Sequence, residues 1–134
     1  VNGTPFPIDD RRGIPKMIFK GTLEHFSEDT LARFRRRMCG SSGQTEEFLS
    51  RTPTRTAEEL REELAALAQG ITAYGSSSFI WDRAIIGNRD KIFPPRNQHE
   101  AWQGTEIMET EAEHYETSLF SRLLEGKGEE WTRH

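Results

Sequence analysis

TAEELREELAALAQGITAYG, residues 56–75, is the stretch whose reading decides the predicted fold. Thr56 and Glu59 stand three apart ahead of an apolar run. That is the capping-box spacing, in which hydroxyl and carboxylate each satisfy an amide the first helical turn leaves orphaned. Ala57, Leu60, Leu64, Leu67, Ile71 and Tyr74 then follow at alternating steps of three and four, so all six share one stripe of a helix. The residues between them are mainly Glu, Arg, Ala and Gln, which form helices well. Gly70 interrupts at a cost of about 1 kcal/mol relative to Ala, and Gly75 is placed to stop the helix in a left-handed turn. A heptad-spaced face of this kind predicts packing against another helix.

On the N-terminal side, residues 40–56 are polar and read as a linker with one helical turn around Glu46–Ser50. Before it, Ser27 is a cap, Glu28 and Asp29 complement the helix dipole, and Leu31, Phe34 and Met38 keep helical spacing. With Gly40 as the stop, these signals predict a helix over 28–39. Pro5, Pro7 and Pro15 make residues 1–26 an extended arm, with Met17-Ile18-Phe19 as a brief strand or docking anchor. On the C-terminal side, Ser76–Ser78 would cap a helix over 78–86, in which Trp81 and Ile85 continue the heptad phase. Pro94-Pro95 then marks a turn. Asn97 with Glu100 would open a last helix over 98–125, its apolar face running Met108, Ala112, Tyr115, Leu119, Leu123. The expected fold is therefore all-α: a helical hairpin or small bundle over 27–134, carrying an extended N-terminal arm over 1–26.

Composition agrees with an incomplete core. The chain has 134 residues, 34% apolar and 30% charged, where an ordinary domain reaches about 45–50% apolar on a slightly wider residue set. Three Trp, two Tyr and eight Phe argue against disorder. Charge is uneven: residues 1–40 carry net +3 and residues 41–134 net −7. Cys39 is the only cysteine, which fits a reducing, intracellular compartment and excludes an intrachain disulfide. No apolar run is long enough for a membrane span. Val1 in place of an initiator Met suits a processed product or part of something longer.

Reactive groupings are sparse. Glu111 and His114 form one Glu-x-x-His step, whereas a carboxylate-bridged di-metal bundle needs that step on two helices and two further Glu. His25, His99, His114 and His134 show no zinc-ligand spacing, so no metal or cofactor is expected. Cys39 at a helix C-terminus sits where the dipole disfavours a thiolate. Glu106, Glu109, Glu113 and Glu116 would share the solvated face of the last helix.

The function these readings favour is a non-enzymatic interaction or assembly subunit, engaging a protein partner or a second copy of itself. Leu60, Leu64, Leu67, Ile71, Tyr74, Trp81 and Tyr115 would be the partner-binding residues. The alternative is a nucleic-acid-associated module in which Arg33, Arg35, Arg36 and Arg37 contact phosphates. An enzyme is the third reading, and would require one pocket to gather Lys20, a serine and Glu109 or Glu111.

Overall fold

Ala84-Ile85-Ile86-Gly87 is the longest buried run among the described residues, and it belongs to a strand. In the computed structural model, which describes residues 1–51, 53–74 and 79–126 (backbone alone at 73 and 74), β1 spans Arg83–Gly87 and β2 spans Glu106–Thr110. They pair in parallel, with Arg83 opposite Glu106 and Gly87 opposite Thr110. Among the described residues six helices accompany them: α1 Lys16–Glu24, α2 Glu28–Cys39, α3 Ser42–Ser50, α4 Ala57–Tyr74, α5 Pro95–Ala101 and α6 Thr117–Leu124. The parallel pair is connected through α5, because parallel strands need a crossover and a helix supplies it.

The two-residue period of β1 divides its side chains between two cores. Ala84 and Ile86 pack with Trp102, just past α5, and with Ile107 of β2. Ile85 points the other way, to Ala112, Leu119 of α6 and Leu123. A strand covered on both faces reads as a continuous apolar run rather than as an alternation.

The expected all-α hairpin is thus corrected to a mixed α/β arrangement. No helix spans 78–86: Phe79, Ile80 and Trp81 are exposed and non-helical, and the chain enters β1 at Arg83. The heptad phase of Trp81 and Ile85 was fortuitous, since a short apolar run fits either period. The expected helix over 98–125 is three elements. Its first part is α5, which starts at Pro95 after Pro94 with no side-chain cap. Asn97, expected to cap, instead donates to the carbonyls of Asp10 and Gly13. Gly104, at φ 86°, turns the chain into β2, and α6 follows only at Thr117.

The N-terminal region differs from an extended arm as well. Residues 4–15 form a closed loop: Ile8 bridges Ile14, and the Gly13 amide donates to Asp9. Met17-Ile18-Phe19 belongs to α1, which runs on through Gly21. The 40–56 segment holds nine helical residues, α3, capped by Ser41. At α4 the Glu59 amide donates to the Thr56 hydroxyl (3.1 Å) and the Thr56 amide to the Glu59 carboxylate (2.9 Å). The expected stop at Gly75, the Ser76–Ser78 cap and the tail from 127 lie outside the described residues. No helix among the described residues is long and apolar enough to cross a membrane.

Candidate active site

Both strands of the parallel pair end in polar loops, and these loops converge. Gly87 makes the convergence possible: a Cβ there would stand 2.6 Å from the Ala112 carbonyl oxygen. Past it, the Asn88 amide donates to Thr110 and the Arg89 amide to Ala112. These bonds bring Asp90, three residues after β1, against His114, four residues after β2.

Asp90 has no exposed side-chain surface, so a carboxylate there must be fully hydrogen-bonded. Its Oδ1 accepts the amides of Ile92 (2.8 Å) and Phe93 (2.9 Å). Its Oδ2 accepts the Gln98 side-chain amide (3.3 Å) and His114 Nδ1 (2.9 Å). A carboxylate only accepts, so His114 donates from Nδ1, and in the neutral imidazole the lone pair is then on Nε2. The Phe93 ring stacks on the imidazole, with centroids 6.0 Å apart and planes 11° from parallel. From the other side Asn2, in left-handed backbone at φ 56°, donates its side-chain amide to the His114 carbonyl at 2.6 Å. The imidazole is therefore fixed in tautomer and orientation, and it keeps one fifth of its surface exposed. An acid that orients a base, which in turn removes a nucleophile's proton, is the supporting half of a hydrolytic triad. Among the described residues no hydroxyl or thiol hydrogen-bonds His114 Nε2.

The loop that builds this pair also walls a cleft of about 450 Å³. Lys91, Ile92 and Pro94 form one side of it; Ile18 and Phe19 of α1, Phe26 in the turn between α1 and α2, Leu31 and Phe34 of α2, and Leu60 and Leu64 of α4 line the other sides. The lining is overwhelmingly apolar, with Arg37, Glu63 and Lys91 as its charged members. A cavity of this size suits a small apolar ligand or chain.

The residues expected to bind a partner are dispersed by this architecture. Leu60 and Leu64 line the cleft, Ile71 is half-buried and Leu67 is exposed. Tyr74 lies in α4, its side chain outside the described set. Trp81 meets Phe79 and Trp102 edge-on, and Tyr115 meets Phe48 and Phe120. Among the basic residues Arg33, Arg36 and Arg37 are exposed on α2, with Arg37 at the cleft, while half-buried Arg35 lies over the Phe48 ring. Lys20 pairs with Glu24 and Glu109 with His99, so these two are engaged elsewhere. The four glutamates expected on one helical face are also separated: Glu106 pairs with Arg83, whereas Glu113 is buried against Gly40. Sequence reasoning missed Asp90 and weighed His114 only as a metal ligand beside Glu111, so the Asp90–His114 pair went unseen. The available signal was an acid and then a base, each a few residues past an apolar run with a glycine or a turn after it, in the order acid before histidine. Reading 78–86 and 98–125 as helices hid that signal.

Residues 1–125 match the family model described as pimeloyl-ACP methyl esterase BioG. A Bacteroides fragilis protein named malonyl-[acyl-carrier protein] O-methyltransferase is 49% identical over 126 residues, which are 92% of this chain and 26% of that protein. An uncharacterized Haemophilus influenzae protein is 43% identical over 123 residues, 90% of this chain and 57% of that one. The crystal structure of BioG from Haemophilus influenzae superposes with a TM-score of 0.81 at 42% identity, covering 88% of this chain and 56% of the BioG chain. The chain thus spans between 26% and 57% of the length of the relatives it matches. These matches overturn the expectation of a non-enzymatic assembly subunit built on a coiled-coil face, because the family and the named relative are enzymes.

Proposed function

This chain belongs to the BioG family of pimeloyl-ACP methyl esterases, and we propose that it supplies the acid, the base and the acyl cleft of an esterase acting on the methyl ester of a carrier-bound acyl chain. The observation that carries the reading is the Asp90–His114 hydrogen bond beside an apolar cleft. In this reading the nucleophile is a serine in the part of the relatives' length that this chain does not span, ahead of the acid and the base in chain order.

The chemistry follows from the fixed tautomer. His114 Nε2 takes the serine hydroxyl proton as the oxygen attacks the ester carbonyl, and Asp90 stabilises the imidazolium that forms. The tetrahedral intermediate collapses with cleavage of the bond to the methoxy oxygen. His114 returns the proton to it, and methanol leaves. Water, deprotonated by the same Nε2, then attacks the acyl-enzyme, and the acid product departs as the serine regains its proton. The apolar cleft would take the methylene chain. Exposed Arg33, Arg36 and Arg37 on α2 are assigned to phosphate on the carrier's side of the substrate, which makes a carrier protein the partner. An intracellular location belongs to the same reading and is supported by Cys39 being the chain's single cysteine, unpaired and buried.

The methyl transfer in the Bacteroides relative's name is not carried over. This chain covers 26% of that protein, so most of its length lies elsewhere.

The test uses the full-length protein and methyl esters of medium-length acyl chains. Asp90→Asn is expected to lower kcat by about 10³–10⁴-fold, and His114→Ala by at least as much, with the fold intact by circular dichroism. Wild-type turnover in either variant would remove the reading.

A further inference from the structure

Gln98 is fully buried, yet it is one of the few polar side chains in the core, and the chemistry above does not use it. It lies on α5, the crossover between the strands that carry acid and base. Its amide nitrogen stands 3.3 Å from Asp90 Oδ2 and 2.8 Å from the Phe93 carbonyl oxygen. Both neighbours only accept, so the –NH2 end must face them, which settles the orientation of the amide without reference to hydrogens. The other end is left buried: Gln98 Oε1 has no hydrogen-bond partner among the described residues. A buried acceptor without a partner is costly, and an apolar residue of similar shape would avoid that cost.

We infer that Gln98 is a positioning residue of the esterase site, acting through Asp90 and Phe93. This rests on the proposed Asp90–His114 chemistry and deepens it. One N–H holds the same carboxylate oxygen that receives His114 Nδ1, so Asp90 cannot rotate away from the imidazole. The other N–H holds the carbonyl of the residue whose ring stacks on that imidazole. One side chain therefore ties the acid, the stacking ring and α5 into a single unit. Orienting groups of this kind, one bond removed from the reacting atoms, govern how much of the time the base is in place. Substrate binding in the cleft involves none of these atoms, so the effect falls on turnover.

The experiment compares Gln98→Met and Gln98→Glu with the full-length wild-type protein. Gln98→Met keeps the length and loses both donors; Gln98→Glu keeps the shape and, when ionised, donates to neither neighbour. Readouts are kcat and KM on a medium-chain methyl ester, and the downfield proton resonance of the His114–Asp90 hydrogen bond. That resonance is read on resting enzyme and is identified by its loss in Asp90→Asn. The expected result is a kcat loss of about 10- to 100-fold in whichever variant is folded, with KM within about twofold and the resonance shifted or broadened. Wild-type kcat together with an unmoved resonance would overturn the inference. So would a rise in KM at unchanged kcat, which would assign Gln98 to the cleft. Failure of the esterase reading itself shows separately, as activity retained in Asp90→Asn and His114→Ala.

Discussion

Cys39 shows how a residue's local sequence and its surroundings can point the same way for different reasons. It ends α2, where the helix dipole disfavours a thiolate. In the folded chain it is also fully buried, and that burial is the main force pushing its thiol up. A hydrogen bond with Thr45 opposes the rise and the Glu47 charge adds to it. The thiol therefore loses its proton more readily in the unfolded chain, whose ordinary value is about 8.5. Above that pH the unfolded state binds fewer protons than the folded one, so the stability that Cys39 contributes is complete below it and is lost as pH rises. Cys39→Ala is expected to cost about 1 kcal/mol at pH 7. The gap in Tm between the two proteins should narrow by pH 10, and a gap that stays constant would mean the thiol is not the titrating group.

Between elements, the decisive contacts are those of backbone with backbone. Gly87 ends β1 where the chain from β2 passes closest, 2.6 Å from where a Cβ would stand. Gly87→Ala must separate the loops that carry Asp90 and His114. The expected outcome is a loss of about 1–3 kcal/mol in stability, and a fall in kcat of about 10²-fold for a displacement of the order of 1 Å. Denaturant melts and steady-state kinetics on one preparation would check both, and an unchanged kcat would mean the loops move together. Element boundaries were legible where local chemistry sets them. Ser27, Glu28 and Asp29 mark the start of α2 and Gly40, at φ 78°, marks its end. Thr56 and Glu59 mark the start of α4. The strands were not legible as strands. Ile85 and Ile86 read as helix because a run of three apolar residues carries no period of its own, and because β1, covered on both faces, lacks the alternation that would have betrayed it.

Across the whole molecule, the helical face of α4 lines a cleft that it shares with α1 and α2. Leu60 and Leu64 meet Ile18 and Phe19 of α1 and Phe34 of α2 around a space of about 450 Å³, while Leu67 further along the stripe is exposed. A charge at position 64 therefore acts chiefly on what enters that space. Under the proposed esterase activity, Leu64→Asp is expected to raise KM for medium-chain methyl esters by about tenfold, the worth of one or two methylenes in an apolar site, and to leave KM for a short-chain ester nearly unchanged. A uniform fall in kcat for both esters would argue that Leu64 supports the fold and not the substrate.

Taken by itself, the amino-acid sequence determined what depends on near neighbours: the capped starts of α2 and α4, the stop at Gly40, and the apolar stripe of α4. Each arises from side chains and amides within one or two helical turns, so a window of residues contains the whole cause. Only the tertiary structure decided which apolar runs pair as parallel strands, and that Asp90 meets His114 across 24 residues with Gln98 and Phe93 holding them. Parallel pairing is a contact between distant segments joined by a helix. Neither segment carries a local mark of its partner, so the Asp90–His114 pair and the cleft beside it exist only once the chain has closed.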